Sequence, residues 1–110
     1  MKQYVIDQLQ ESDFHRLKEH LDKHLVSTSM EGIYWVDLPV RLYTDMQREH
    51  PACQPYYFAI NLNLRQIAFE WLIRSRPMLH CPCMGYADPR QRDFIIHYAE
   101  ALLEQLEIQA

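Results

Sequence analysis

The stretch YYFAINLNLRQIAFEWLIR, residues 56–74, decides the fold. Large apolar residues alternate with other residues in two runs of this stretch, which is typical of half-buried β-strands. A turn centred on Leu64 and Arg65 would pair residue 62 with 67, 60 with 69, 58 with 71 and 56 with 73. That register places eight large side chains on one face: Tyr56, Phe58, Ile60, Leu62, Ile67, Phe69, Trp71 and Ile73. We therefore predict an antiparallel hairpin whose apolar face belongs to the core.

The opposite face of this hairpin is mixed in character. It carries Tyr57, Ala59, Asn61, Ala68, Glu70, Leu72 and Arg74. A face with both polar and apolar side chains is expected to be partly covered or to contact a partner. We call it the outer hairpin face.

The N-terminal half predicts two strands and one helix. Residues 3–9 form a strand in our interpretation, with a helix as the alternative because the apolar run is short. Ser12 is a suitable N-cap for an amphipathic helix over residues 13–26, and residues 27–32 read as a loop. Residues 33–37 contain Tyr-Trp-Val and predict a second strand.

The remaining segments complete the order of elements. A short helix is expected to begin at Val40 or at Thr44, and Pro51 limits its length. Residues 76–84 are interpreted as an extended edge strand. Asp88 followed by Pro89 predicts the start of a helix that runs to about Glu107. The predicted fold is α+β, in the order β-α-β-short α-β-β-α, with one mostly antiparallel sheet and helices on one face.

Length and composition narrow the class of protein. The 110 residues fit one domain, which we expect to span residues 1–110. Two glycines are too few for a phosphate-binding loop, a dinucleotide fingerprint or a nucleophile elbow. The sequence lacks a signal peptide and a membrane-spanning segment, and three cysteines suit a disulfide framework poorly. We therefore expect a cytoplasmic protein that does not bind membranes.

Charge is unevenly distributed along the chain. The net charge is −4, which argues against nucleic-acid binding. Between residues 65 and 92, however, five arginines face two acids, a local charge of +3. We interpret this segment as a solvated surface; a site for an anionic partner is the alternative, with Arg74, Arg76, Arg90 and Arg92 as ligands and Tyr57 and Tyr86 as stacking groups.

The cysteines and two histidines form the main candidate site. Cys81 and Cys83 would point the same way in an extended backbone, and Cys53 lies near His50. Together with His50 or His80, the three cysteines would make a Cys₃His set that suits tetrahedral zinc. The spacing is tighter than usual for zinc, so buried, inert cysteines remain the favoured interpretation. A disulfide between Cys81 and Cys83 would close a very small ring, which argues against it.

The other titratable residues are weaker candidates for a metal site or for catalysis. His20 and His24 have a metal-compatible spacing but are expected to be solvated, as is His97. Asp7, Asp37 and Glu70 lie in or beside predicted strands, where solvation is more common than acid–base catalysis. A catalytic Cys–His pair would need an orienting group that the sequence does not locate.

No motif in the sequence carries an activity. We favour a non-catalytic interaction or ligand-binding domain without a cofactor. Its partner is a protein or small molecule, or a second copy bound through a sheet edge or the outer hairpin face. The alternative is a small zinc-binding protein that uses Cys53, Cys81 and Cys83 with His50 or His80.

Overall fold

The computed structural model describes residues 2–25 and 28–109. Within them, one antiparallel sheet of six strands carries three α-helices. The strands are β1 (Gln3–Ile6), β2 (Ile33–Asp37), β3 (Tyr56–Leu62), β4 (Ile67–Glu70), β5 (Leu72–Ser75) and β6 (Gly85–Tyr86). The helices are α1 (Glu11–His24), α2 (Asp45–Arg48) and α3 (Pro89–Gln105), and 3-10 helices at Val40–Leu42 and Pro51–Cys53 flank α2. The predicted α+β class is confirmed.

Strand β3 is the centre of the sheet. It pairs with β2 along one edge and with β4 and then β5 along the other. Strand β1 pairs with β4, and β6 pairs with β5. All of these pairings are antiparallel.

The hairpin register is confirmed near the turn and wrong beyond it. Residue 62 lies opposite 67 and 60 opposite 69, as predicted. Farther along, Tyr57 lies opposite Arg74 and Tyr56 opposite Ser75, a shift of two residues. The predicted pairs 58 with 71 and 56 with 73 are therefore wrong. Trp71 separates β4 from β5, since its backbone bonds instead to Lys2 and Ala87.

The shift leaves the apolar face intact. Two residues is a full side-chain period of a strand, so the same side chains still point inward. Seven of the eight predicted face residues are buried, and Trp71 is partly buried. Both long helices cover this face: α1 through Leu17 and Leu21, and α3 through Ile95 and Ala99.

The start of α1 differs from the prediction. The helix begins at Glu11, so Ser12 lies inside it and is not the N-cap. The Asp13 carboxylate accepts a hydrogen bond from the backbone N–H of Gln10 at 3.0 Å. This bond caps the helix at Gln10, two residues before Ser12. The predicted end of this helix at Val26 and the first loop residue, Ser27, lie outside the described residues.

Most other predicted boundaries agree with the structure. Strand β2 has the predicted bounds, and both predicted starts of the short helix are used, by the first 3-10 helix and by α2. Thr44 and Asp88 each form a capping box, with Gln47 and Gln91. Strand β1 ends at Ile6 rather than residue 9, and α3 ends two residues before the predicted end.

The predicted edge strand over residues 76–84 is wrong. This segment consists of bends and a turn, and only Gly85–Tyr86 beyond it pairs with β5. Pro77 and Pro82 have no backbone N–H to donate, which disfavours strand pairing here. None of the helices in the described residues is both long and apolar enough to cross a membrane.

Candidate metal centre

Cys53 ends the 3-10 helix that follows α2. Pro51 begins this helix, and the backbone N–H of Cys53 donates to the carbonyl oxygen of His50 at 2.9 Å. Proline suits the first position because the N–H that it lacks has no partner within a helix. The side chain of Cys53 is only 4% exposed, and it points into the core cluster.

Cys81 and Cys83 lie on a tight turn rather than on the predicted extended backbone. The backbone N–H of Met84 donates to the carbonyl oxygen of Cys81 at 3.0 Å, with Pro82 at the second turn position. Their Cα atoms are 5.2 Å apart, and their sulfur atoms form a disulfide in the structure. The argument against this bond is therefore wrong, because the turn brings the two Cα atoms within ordinary disulfide range.

The three cysteines converge on one place. The Sγ atom of Cys53 lies 2.8 Å from that of Cys81, although 28 positions separate them in the chain. All three sulfur atoms lie within 4.8 Å of one another. Cys83 is 5% exposed, and Cys81 is partly buried against the core. The cluster thus has two buried sulfurs and one that is closer to solvent.

Ser75, at the end of β5, joins the two segments that carry the cysteines. Its hydroxyl donates to the carbonyl oxygen of Cys53 at 2.5 Å and accepts from the backbone N–H of Met78 at 3.2 Å. Ser75 is only 4% exposed. Sequence analysis missed this residue, because a serine between two arginines belongs to no motif.

The two candidate histidines lie outside the cysteine group. Neither His50 nor His80 is part of the set of metal-capable atoms that the described residues bring together there. The Nδ1 atom of His50 lies 2.6 Å from the carbonyl oxygen of Met46. Because a carbonyl oxygen only accepts hydrogen bonds, Nδ1 carries the proton and donates it, and Nε2 is left as the free ring nitrogen. His80 is exposed and lines the same surface depression as Cys81.

The cluster can support two kinds of chemistry. Three thiolates can hold one soft metal ion. Sulfurs bound to one zinc ion at about 2.3 Å stand about 3.7 to 4.0 Å apart, which follows from tetrahedral or trigonal angles. The sulfurs would therefore have to move apart to hold a zinc ion, from 2.8 Å for Cys53 and Cys81 and from bonding distance for Cys81 and Cys83. Alternatively, a thiol beside a disulfide can take part in thiol–disulfide exchange.

Tyr56 is a fully buried neighbour of Cys53. Its hydroxyl donates to the carbonyl oxygen of Gln47 at 3.1 Å, and its backbone N–H donates to the hydroxyl of Tyr43 at 3.3 Å. Burial raises the pKa of Tyr56, and the charges of Cys53 and Tyr43 add to that rise. The phenol therefore stays neutral and does not compete with the cysteines for a cation.

The arginines proposed for an anionic partner have partners within the chain. Arg74 pairs with Glu70 at 3.5 Å, and Arg76 pairs with Asp37 at 2.6 Å. Arg90 donates to a backbone carbonyl, and Arg92 lies over the ring of Trp71. Each of the four arginines thus already has a partner within the chain, which disfavours a common anion site.

The remaining candidates form no further site. The rings of His20 and His24 lie with centroids 4.4 Å apart and are tilted by 40°. Burial, followed by the charges of His24 and Lys23, lowers the pKa of His20. In residues 2–25 and 28–109, the cysteine cluster is the one group of three or more metal-capable side chains. Asp7 and Asp37 are exposed, and Glu70 accepts from Asn61 at 2.8 Å.

The outer hairpin face is a second feature of interest. Trp35 of β2 stacks on Tyr57 with ring centroids 4.3 Å apart, and the guanidinium of Arg76 lies over both rings. The flanking strands extend this face, because Val5 lies opposite Ala68 and Tyr86 opposite Leu72. Val5 and Tyr86 are the most exposed apolar side chains of the extended face, at 39% and 51%. The face thus combines paired charges with half-exposed apolar groups, on the side of the sheet away from the long helices.

No protein-family model matches the chain, and no curated protein or solved structure is significantly similar to it.

Proposed function

We propose that this protein binds a soft metal ion, zinc, through Cys53, Cys81 and Cys83. The observation that carries the proposal is the meeting of the three sulfur atoms within 4.8 Å. One sulfur comes from a 3-10 helix and two come from a turn far along the chain. The sequence alone favoured buried, inert cysteines, and Cys53 and Cys83 are buried; the convergence of all three sulfurs is what supports a metal site.

Packing alone does not account for the convergence. A free cysteine behaves as a small hydrophobe, and the core offers many apolar neighbours for each of these side chains. The side chains of Cys53 and Cys83 do belong to the core cluster, but their sulfurs also meet Cys81, through a bond from Cys83 and a 2.8 Å contact from Cys53. In the reduced protein, thiolates gathered in this way would repel one another, so a cation between them would stabilise the arrangement. Thiolate ligands select zinc and other soft ions over magnesium or calcium.

A fourth ligand would complete a tetrahedral site. His80 is one candidate for this ligand, because it lies next to Cys81 in the surface depression. His50 is the other, because its contact with Met46 leaves Nε2 free, an arrangement that is common for zinc-bound histidines. We propose one of these two for the position, in a non-catalytic metal site.

Metal analysis of the reduced protein tests the proposal. Protein purified without a histidine tag, under a dithiol reductant, should hold about one zinc per chain. Cys53→Ser should lose this zinc, whereas His20→Ala, which changes a histidine far from the cluster, should retain it. Loss on His50→Ala or on His80→Ala alone would identify the fourth ligand. Wild-type protein that holds no zinc after incubation with the metal would refute the proposal.

A second candidate function is protein interaction through the outer hairpin face. The favouring observation is the pair of exposed apolar side chains, Val5 and Tyr86, on a face where the nearby charges are already paired. Such a face suits a protein partner better than a nucleic acid. We propose a second copy of the chain as that partner.

The oligomeric state tests this second candidate. The molar mass from sedimentation equilibrium should rise with protein concentration toward that of a dimer. Val5→Lys, which places a charge on the outer hairpin face, should shift the protein to monomer. Val40→Lys is the matched control, because Val40 is also a valine, is 65% exposed and lies on the first 3-10 helix rather than on a strand. A protein that remains monomeric at all concentrations would contradict this proposal.

A further inference from the structure

The sulfur of Cys81 has two neighbours, and each neighbour implies a different state of the cluster. It is bonded to Cys83, and it lies 2.8 Å from the free sulfur of Cys53. When all three sulfurs are thiolates, they form the proposed metal site. When Cys81 and Cys83 are joined, Cys53 is the only thiol left. Cys81 and Cys83, which change partners between the two states, lie on one turn with Cα atoms 5.2 Å apart.

We propose that formation of the Cys81–Cys83 disulfide releases the metal, which makes the site a redox switch. This inference rests on the proposed function and adds its regulation. A disulfide sulfur is a poor metal ligand compared with a thiolate, because the thiolate is the form that binds. Oxidation removes two of the three sulfur ligands at once, and one thiolate with one imidazole cannot hold zinc tightly.

The oxidant that we propose is a peroxide, which the thiolates of Cys81 and Cys83 reduce together. The thiolate of Cys81 attacks one oxygen of hydrogen peroxide, the O–O bond breaks, and a sulfenic acid and a hydroxide ion form. The thiolate of Cys83 then attacks the sulfur of Cys81, the S–O bond breaks, and a second hydroxide leaves as the disulfide forms. Two thiolates are oxidised, one peroxide is reduced to two hydroxides, and the metal ion leaves.

Exposure decides which cysteine reacts first. Cys81 is the partly buried member and lines a surface depression, whereas Cys53 and Cys83 are 4% and 5% exposed. Oxidants reach accessible thiolates preferentially. Cys83 then reacts as the second thiol because the turn that holds Cys81 also carries it, so no backbone rearrangement is needed.

Zinc release and disulfide mapping on one sample test the switch. Reduced, zinc-loaded wild-type protein is treated with hydrogen peroxide while a chromogenic chelator records released zinc. We expect loss of nearly all bound zinc, an intact mass lower by two hydrogens, and a peptide in which Cys81 is linked to Cys83. A dithiol reductant with added zinc should restore the loaded form. A sample in which the peroxide has first been destroyed by catalase is the control and should keep its zinc.

The outcomes separate the two proposals. Zinc that stays bound after peroxide, or zinc release with a Cys53–Cys81 or intermolecular disulfide, would overturn the switch and leave the metal site standing. Reduced protein that holds no zinc before peroxide is added would refute the metal site, and the switch would fall with it.

Discussion

Replacement of Ser75 by alanine should loosen the metal site without touching a sulfur atom. The hydroxyl of Ser75 holds the carbonyl of Cys53 and the backbone N–H of Met78 together, so it positions the two segments that carry the cysteines. Ser75→Ala removes both hydrogen bonds and leaves a carbonyl and an N–H without these partners.

The size of the effect follows from the two bonds. Each contributes about 0.5 to 1.5 kcal/mol, so the free energy of unfolding should fall by about 1 to 3 kcal/mol. Mutation of a residue that orients metal ligands typically lowers metal affinity by about 10-fold to 100-fold. We expect Ser75→Ala to lower the zinc affinity by a factor in that range.

Two measurements check these values. Equilibrium urea unfolding of the reduced protein in excess chelator gives the stability without any contribution from bound metal. Competition with a chromogenic chelator gives the zinc affinity. Ser12→Ala is the matched control, because Ser12 is exposed in α1 and is not its N-cap. If Ser75→Ala and Ser12→Ala agree within about 0.5 kcal/mol and bind zinc equally, Ser75 does not position the site.

Two further predictions concern the scaffold. Gly32 has a φ of +81°, and a Cβ there would lie 2.6 Å from the carbonyl oxygen of Leu62, so Gly32→Ala should cost about 2 kcal/mol in urea unfolding. Gly85→Ala is its control, since no atom lies within 4 Å of the added carbon, and an equal cost in both variants would contradict the reasoning. The hydrogen bond from Tyr34, the largest cause, lowers the pKa of Asp22 below its ordinary value of 3.8. A lowered carboxyl pKa stabilises the fold at pH values above 3.8, and this stability is lost as the pH falls through the lowered pKa. The difference in unfolding free energy between wild-type protein and Tyr34→Phe should therefore shrink in acid. A stability difference that stays constant from about pH 6 to about pH 2 would contradict this assignment.

The helices capped at Thr44 and Asp88 and the strand β2 were predictable because their signals are local. The capping boxes at Thr44 and Asp88 use side chains three residues apart, which the sequence displays directly. The start of α1 was predicted wrongly, because Ser12 was taken as the cap. The N-cap is Gln10, whose backbone N–H donates to the carboxylate of Asp13, which also pairs with Arg16.

The hairpin shows where local reasoning ends. Alternation predicts which side chains share a face, and this held even after the register shifted by two residues. The shift itself depends on Trp71, whose backbone bonds to Lys2 and Ala87 rather than to β3. A pattern within the hairpin contains no information about these distant partners.

The sequence by itself determined the α+β class and the buried face of the hairpin, and it named the three cysteines as candidate metal ligands. It did so because side-chain periodicity, caps and residue chemistry are properties of short stretches. Only the tertiary structure decided that Cys53 meets Cys81 and Cys83, and that Ser75 ties their segments together. The physical reason is that these contacts are made between a 3-10 helix, a strand end and a turn, whose relative positions follow from packing the whole sheet.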